Sequence, residues 1–202
     1  MRSWSGPILL SAALAAQAAP PGRVEIAYEL RRDGDPVAAV TDRLEHDGRT
    51  YRLAQTWKGR GLYALRGEAQ RASRGRIAPD GLRPAAFEDR RPGRDAVRVT
   101  PQPGGQDRLS VLWHLAFNPP SRAVTLRVAD RRGVSTHVYE PAGRERVATP
   151  AGEFAALKLV RREQDRRTQI WLAAEHGNVP VRVLIREQDG ATLELVAVRI
   201  GP

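Results

Sequence analysis

The chain contains no cysteine and few aromatic residues, and both shortages narrow what it can do. Without cysteine it has no disulfide bond and no thiolate for catalysis or metal binding. Phe, Trp and Tyr together make up 5% of the 202 residues, so each large ring is a conspicuous apolar group. A chain of this length can nevertheless hold a hydrophobic core without covalent cross-links.

No stretch is apolar over the roughly 20 residues that a membrane-spanning helix needs. A short apolar run, Ile8 to Ala16, follows the basic start Met1-Arg2-Ser3-Trp4 and precedes Ala16-Gln17-Ala18, which fits the small-x-small cleavage pattern. This arrangement predicts a secretory signal peptide at residues 1–18. We expect the mature protein to be one domain, residues 19–202, with no transmembrane segment.

Lysine is scarce too, since Lys58 and Lys158 are the only two among 33 basic residues, and arginine therefore carries the formal net charge of +10. Such a charge suits a polyanionic partner. The arginines are scattered among acids, however, as in Arg144-Glu145-Arg146, and codon bias in a GC-rich genome produces the same composition. Because nucleic acid is scarce outside the cytoplasm, we expect no nucleic-acid partner for an exported protein.

A period of two dominates the rest of the chain and predicts half-buried β-strands. Apolar residues alternate with polar or small ones at 24–30, 51–57, 124–128 and 179–185. Asp-Gly pairs such as Asp33-Gly34, a strong hairpin signal, separate segments of this kind. We expect a mainly β fold, with about ten or eleven strands in one large curved antiparallel sheet or half-open barrel, since a flat sheet of that width is unusual.

One segment departs from this pattern. Asp107 is a candidate N-cap, Leu109 to Phe117 is predicted to be helical, and Asn118-Pro119-Pro120 ends the helix. Only Ser110 and His114 interrupt its apolar side chains. A helix that is apolar nearly all round is buried on more than one side. We therefore expect it to pack in the concave face of the curved sheet.

Motifs that carry catalysis or bind cofactors are missing. The four histidines, His46, His114, His137 and His176, do not stand at metal-binding spacings. There is no nucleophile elbow, P-loop or dinucleotide fingerprint, and no pair of carboxylates can be singled out among the many. We therefore expect no enzymatic activity, no metal and no cofactor.

The apolar helix and the few tryptophans are the candidates for a ligand site. A curved sheet of this width can enclose more volume than its side chains fill. We expect such a cavity to be lined by Trp57, Leu112, Trp113, Phe117 and Trp171. Loop arginines such as Arg90, Arg91 and Arg94 could meet an anionic head group. The alternative is that the aromatic side chains simply fill the core.

Several motifs, in their order along the chain, resemble one known family. They are Ser73-x-Gly75-x-Ile77 with Gly81-Leu82-x-Pro84, Asp107-x-Leu109-Ser110-x-Leu112, Thr149-Pro150-Ala151-Gly152-Glu153-Phe154 with Leu157-Lys158-Leu159, and Trp171-Leu172-Ala173 with Val179-Pro180-Val181-Arg182. From about Val24 to Ile200 the chain thus resembles the exported bacterial family catalogued as domain of unknown function 3108 (DUF3108). The resemblance implies a periplasmic, mostly antiparallel β protein of a Gram-negative bacterium. It implies no catalytic residue, because the family has no established activity. The layout is also similar to the half-open barrels of the lipoprotein carriers LolA and LolB, an analogy of fold and not of function.

Two functions remain open at this point. The first is a periplasmic binding module that holds an apolar or amphipathic, lipid-like small molecule in the concave face of the sheet. The second is a structural or interaction protein of the cell envelope, with a packed core, that contacts another envelope protein or a polyanion through its surface. An envelope hydrolase is a lesser third, because the sequence offers no set of residues for it.

Overall fold

A computed structural model describes residues 19–163 and 165–202, with only the backbone of Arg66. The signal peptide predicted at residues 1–18 lies outside the described residues. Within them, no helix combines the length and the apolar character that a bilayer crossing requires.

The described chain folds into thirteen strands, one α-helix and two short 3₁₀ helices. The helix α1 spans Ser110–Phe117, and the 3₁₀ helices span Gly61–Arg66 and Ala174–His176. The strands are β1 (Arg23–Arg32), β2 (Asp35–His46), β3 (Thr50–Gly59), β4 (Glu68–Ala78), β5 (Gly81–Arg91), β6 (Arg94–Val99), β7 (Gln106–Asp107), β8 (Val124–Asp130), β9 (Gly133–Thr149), β10 (Gly152–Arg162), β11 (Arg166–Ala173), β12 (Val179–Glu187) and β13 (Thr192–Gly201).

All thirteen strands belong to one sheet, in the order β6-β5-β4-β3-β2-β1-β13-β12-β11-β10-β9-β8-β7. Every pairing is antiparallel except that of β7 with β8. The edge strand β7 lies next to β4 and β5, near the opposite edge of the sheet. The Gln106 amide donates to the Leu82 carbonyl at 2.8 Å, and the Ser73 hydroxyl donates to the Asp107 carboxylate at 2.6 Å. These buried bonds bring the sheet close to a closed barrel.

The prediction of a mainly β fold with a single large curved antiparallel sheet and one apolar helix is confirmed. The sheet has thirteen strands rather than ten or eleven, partly because β7 contains only two residues, Gln106 and Asp107. A strand of that length shows no alternation of apolar and polar residues, so no periodicity could reveal it.

Helix α1 lies inside the sheet and contributes side chains to both apolar clusters of the described residues. Its Trp113 and Ala116 pack in the larger cluster, and Val111 and Leu115 pack in the smaller. Asp107 starts the helix, since its carboxylate accepts the backbone N–H groups of Leu109 and Ser110 at 2.8 and 2.7 Å. The sequence-based expectation of a buried helix beginning just after Asp107 is therefore confirmed.

Gly81, at the start of β5, lets α1 approach the sheet closely. Its φ of +110° is one that side chains other than glycine rarely adopt. A Cβ at this position would also stand 2.7 Å from Nδ1 of His114 on α1. The His114 ring fills the space that the missing side chain leaves.

Candidate functional site

The interior of the barrel is not completely filled. A cavity of about 440 Å³ lies next to α1, within the roughly 300–1,000 Å³ typical of small-molecule sites. Its apolar lining includes Leu30, Val111, Leu112, Ile170, Val183 and Leu195. Both the helix and the sheet thus contribute walls that an apolar ligand could contact.

Strand alternation explains why these walls are apolar. Thr168 and Ile170 on β11 and Val183 and Ile185 on β12 are two residues apart on each strand, and all four line the cavity. Residues i and i+2 of a strand face the same side of a sheet, so each strand presents a pair of side chains to the interior. The period of two that predicts the sheet therefore also builds the cavity wall.

The cavity opens at the end of the barrel where most hairpin turns lie. Its lining reaches Arg132 and Gly133 in the β8–β9 turn and Glu163 beside the β10–β11 turn. The 3₁₀ helix Gly61–Arg66 joins β3 to β4 at the same end and holds Leu62 and Leu65, which are 85% and 86% exposed. We call this end of the barrel the mouth.

The structure places two of the five predicted lining residues in this cavity. Trp57, near the end of β3, shares the inward face with Gln55, and both line the cavity. Leu112 projects into the same space from α1. The side chains of Trp57 and Leu112 are half-buried, which leaves part of each available to a ligand.

Trp113 and Phe117 are on α1 but do not reach the cavity. Trp113 is fully buried in the larger cluster, where its indole N–H donates to Asp42 at 3.4 Å. Phe117 lies at the other end of the helix and makes an edge-to-face contact with His46, with the ring centroids 5.0 Å apart. These two aromatic side chains pack the core instead of lining the cavity.

Trp171 lies on the opposite side of the sheet from the cavity. Its neighbour Ile170 lines the cavity, and successive residues of a strand face opposite sides. Its ring lies between the Lys158 ammonium and the Arg182 guanidinium, at 5.1 and 4.8 Å from its centroid, and its N–H donates to Glu145 at 2.7 Å. Trp171 is therefore not among the residues that line the cavity.

A chain of hydrogen bonds, partly buried at Trp57 and Arg71 and buried at Asp42, connects the cavity to the core. The Gln55 amide oxygen accepts from the Trp57 indole and from Arg71, and the Gln55 amide nitrogen donates to Asp42 at 2.8 Å. Burial raises the pKa of Asp42 to about 6, although the bonds from Gln55 and Trp113 and the charge of Arg71 act in the opposite direction. Asp42 is therefore a buried carboxyl group whose charge changes just below neutral pH.

Arginines in the cavity lining are the residues that the sequence-based analysis missed. Arg71 on β4, Arg108 before α1 and Arg161 on β10 all line the cavity. Arg71 is two residues before Ser73, which is buried, so strand alternation could have placed it inside. The usual assumption that charged side chains face solvent hides this signal.

The loop arginines expected to meet a head group have other roles. Arg90 forms an ion pair with Glu88 at 2.8 Å, and Arg91 with the buried Asp89, also at 2.8 Å. Arg94 is exposed at the start of β6. None of the three lines the cavity.

His137 is a neutral group in the cavity wall. Burial, followed by repulsion from Arg161, lowers the pKa of His137 to about 4. Its Nδ1 lies 2.6 Å from Nη1 of Arg161, which fits an unprotonated ring nitrogen that accepts the arginine N–H. Within residues 19–163 and 165–202, no group of three or more His, Asp and Glu side chains could hold a metal ion.

A second hollow, of about 530 Å³, lies on the outer face of β2 to β6. Ala54 and Ala72 are exposed in it, and Arg43, Arg52 and Arg74 stand around it. Alanine offers little apolar area, and the arginines are solvated. The interior cavity is thus the better candidate for a ligand with an apolar part, although its volume is smaller.

One family matches this chain. Residues 85–196, more than half of the 202, match the model of a family described as "Protein of unknown function (DUF3108)". The match leaves out the Ser73-x-Gly75-x-Ile77 and Gly81-Leu82-x-Pro84 motifs, which lie before residue 85. No curated protein matches the chain.

Three solved structures are similar to the chain, each with a TM-score of 0.45. A protein from Bacteroides fragilis described as exported, with a YmcC-like fold, is 11% identical, and the match covers 93% of this chain and 100% of that one. A protein from Parabacteroides distasonis described as a lipoprotein is 8% identical over 91% and 97% of the two chains. A β-barrel-like protein of the domain of unknown function DUF1849 from Brucella abortus is 9% identical over 91% and 98%.

Proposed function

The chain belongs to the DUF3108 family, and since that family is described as of unknown function, we propose a function from the barrel interior: the protein binds an apolar or amphipathic, lipid-like molecule in the cavity beside α1. The predicted resemblance to the family is confirmed. The observation that supports the binding role is a cavity of about 440 Å³ with apolar walls and an open mouth.

Burial of an acyl chain in this cavity would be favourable. Each methylene removed from water contributes about 0.8 kcal/mol. The walls that would receive the chain are aliphatic side chains of β11, β12, β13 and α1, including Ile170, Val183, Leu195 and Leu112. A polar end of the ligand would lie at the mouth, where the lining is charged.

The proposal includes the place where this binding occurs. The predicted signal peptide at residues 1–18 would deliver the protein to the periplasm of a Gram-negative bacterium. A lipid-like molecule is poorly soluble in that aqueous compartment, so a protein that shields its apolar part would have a clear use there.

The alternative, an envelope protein with a packed core that acts through its surface, requires an interior filled by side chains. The open cavity favours the binding role over that alternative. A non-enzymatic role remains part of the proposal, and no residue is assigned to catalysis.

The direct test is native mass spectrometry of the protein purified from a periplasmic extract without detergent, followed by organic extraction. We expect a bound species that adds a few hundred daltons and releases a lipid-like molecule on extraction. A protein that carries nothing, and that takes up no lipid from total bacterial lipid extract added afterwards, would contradict the proposal.

A further inference from the structure

The mouth of the cavity carries an excess of positive charge. Two carboxylates, Asp130 and Glu163, contribute to the lining, and His137 adds no charge near neutral pH because its pKa is about 4. The arginines of the lining are Arg71, Arg108, Arg132, Arg161 and Arg166. The lining thus holds five arginines and two carboxylates, while Asp89 and Glu187, outside the lining, lie 3.6 Å from Arg71 and 3.3 Å from Arg166.

Arg71 is the best held of these arginines. Its side chain is only 10% exposed. The guanidinium lies over the Trp57 ring, at 4.9 Å from the centroid, and Nη1 donates to the Gln55 amide oxygen at 2.7 Å. A buried guanidinium with two such supports has one preferred position, so little entropy is lost when it binds a further group.

The Nε of Arg71 forms an ion pair with a buried carboxylate but makes no hydrogen bond. The nearby carboxylate oxygen, Oδ1 of Asp89, is 3.6 Å away, and Arg91 already binds that carboxylate through Nη2 at 2.8 Å.

Arg108 brings a second positive charge to the same place. Its side chain is about half exposed, and its ion pair with Asp130 spans 3.8 Å. Burial, followed by repulsion from Arg108, lowers the pKa of Arg71 to about 10. Two like charges that line one cavity are relieved by an anion between them.

Arg161 is less suited to this role, although its Nε also lacks a hydrogen-bond partner. Its two terminal nitrogens are already used. One contacts His137 at 2.6 Å, and the other lies 3.0 Å from Glu163 and 3.3 Å from the Thr168 hydroxyl.

We propose that the ligand is an anionic amphiphile, whose carboxylate or phosphate group binds between Arg71 and Arg108 while its acyl chain lies against the aliphatic walls. Planar guanidinium groups suit either anion, because both present oxygen pairs that can accept two N–H bonds. The inference rests on the proposed function and adds to it the charge of the ligand and the residues that bind its charged group.

The test compares amphiphiles that share a chain and differ in the head group. Laurate, dodecyl phosphate and 1-dodecanol each compete with the neutral fluorescent probe N-phenyl-1-naphthylamine at pH 8, below their micelle concentrations. We expect at least one of the two anions to bind about tenfold or more tightly than dodecanol, a ratio that corresponds to about 1.4 kcal/mol. The stronger anion distinguishes a carboxylate site from a phosphate site.

Two variants remove the charge and retain an unbranched side chain. Arg71→Met and Arg108→Met are expected to bring the anion-to-dodecanol ratio within about twofold of unity, with dodecanol affinity unchanged. Arg76→Met, at an exposed position on the same strand as Arg71, is the matched control and keeps the wild-type ratio. Because Arg108 is half exposed, Arg108→Met is expected to fold even if loss of the buried Arg71 impairs folding. Thermal melts of both variants check that they are folded.

The outcomes separate the two proposals. Equal binding of dodecanol and both anions by the wild type would overturn the head-group site and leave the cavity proposal intact. The head-group site would also be overturned if Arg76→Met lost as much anion preference as Arg108→Met. The overall positive charge of the protein would then explain the preference. If neither the probe nor any amphiphile binds, the proposed function itself fails.

Discussion

The guanidinium of Arg71 stacks on the indole of Trp57, with Cζ 4.9 Å from the ring centroid, and both side chains donate to the amide oxygen of Gln55. The same indole lines the cavity. Trp57 therefore has two proposed roles. Its ring forms part of the apolar cavity wall, and it positions the arginine that binds the anionic group of the ligand.

Substitution of Trp57 separates these roles. Trp57→Phe keeps a ring beneath Arg71, whereas Trp57→Leu removes it. Because a cation–π contact contributes about 0.5–1 kcal/mol, we expect Trp57→Leu to lower the anion-to-dodecanol ratio about two- to fivefold. Trp57→Phe should change that ratio less. The displacement titration measures both, and an identical ratio in the two variants would mean that the ring does not position Arg71.

Asp42 makes stability depend on pH in an unusual direction. Its pKa in the folded protein is about 6, above the ordinary 3.8, so the folded state holds the proton more tightly than the unfolded state. Its stabilising contribution is complete below about pH 4 and is lost as pH rises through 6. The shift in the pKa of Asp42 corresponds to about 3 kcal/mol of unfolding free energy.

His137 acts in the opposite direction over an overlapping range, since its pKa falls from 6.5 to about 4. The effect of Asp42 is therefore measured against Asp42→Asn, by chemical unfolding at pH 4 and pH 7. We expect the stability of the variant relative to wild type to rise by about 2 kcal/mol between these pH values. A constant difference would contradict the raised pKa.

Gly81 is predicted to be intolerant of any side chain. In Gly81→Ala the new Cβ has to displace the His114 ring and adopt an unfavourable φ. Gly34, in the β1–β2 turn, has a similar φ of +92° but no atom within 4 Å of its Cβ position. Gly34→Ala therefore measures the backbone cost alone, about 1 kcal/mol.

We expect Gly81→Ala to lose about 1–3 kcal/mol more than Gly34→Ala because of overpacking. Urea unfolding of the two variants checks this difference. Equal losses would show that α1 can move away from β5 without cost.

Asp107 joins the start of α1 to β4, and its removal should destabilise the fold. Its buried carboxylate accepts the N–H groups of Leu109 and Ser110 and the Ser73 hydroxyl. For Asp107→Ala we expect a loss of about 2–4 kcal/mol, from the missing cap and from the lost hydrogen bond to the buried Ser73 hydroxyl.

Asp47→Ala is the matched control, because Asp47 also accepts two backbone N–H groups, those of Arg49 and Thr50, but in an exposed turn. Urea unfolding should give a clearly smaller loss for Asp47→Ala. A loss as large as that of Asp107→Ala would mean that burial of the Asp107 cap adds nothing.

The overall architecture could be predicted because its determinants are local. Alternation marks the strands, Asp-Gly pairs mark several turns, and Asp107 with the following apolar run marks α1. Each signal depends on neighbours along the chain. The two-residue strand β7 has no such signal, because its place depends on hydrogen bonds to residues that are distant in sequence.

The cavity lining was harder to predict, for reasons that particular residues make clear. Ile170, Trp171 and Leu172 are all apolar, so alternation cannot say which of them faces inward. Similarly, Leu112 and Trp113 lie on a helix that is apolar nearly all round, and the sequence does not distinguish its cavity side from its core side.

The central claim is that the cavity beside α1 binds the ligand. It is tested most directly by titrating N-phenyl-1-naphthylamine into two variants, each of which has a larger side chain in one of the two hollows. Leu112→Trp places a larger side chain in the cavity, whereas Ala72→Trp places the same side chain in the outer hollow. We predict that Leu112→Trp weakens probe binding about tenfold or more and that Ala72→Trp leaves it unchanged. Wild-type affinity in Leu112→Trp, or a loss confined to Ala72→Trp, would contradict the account.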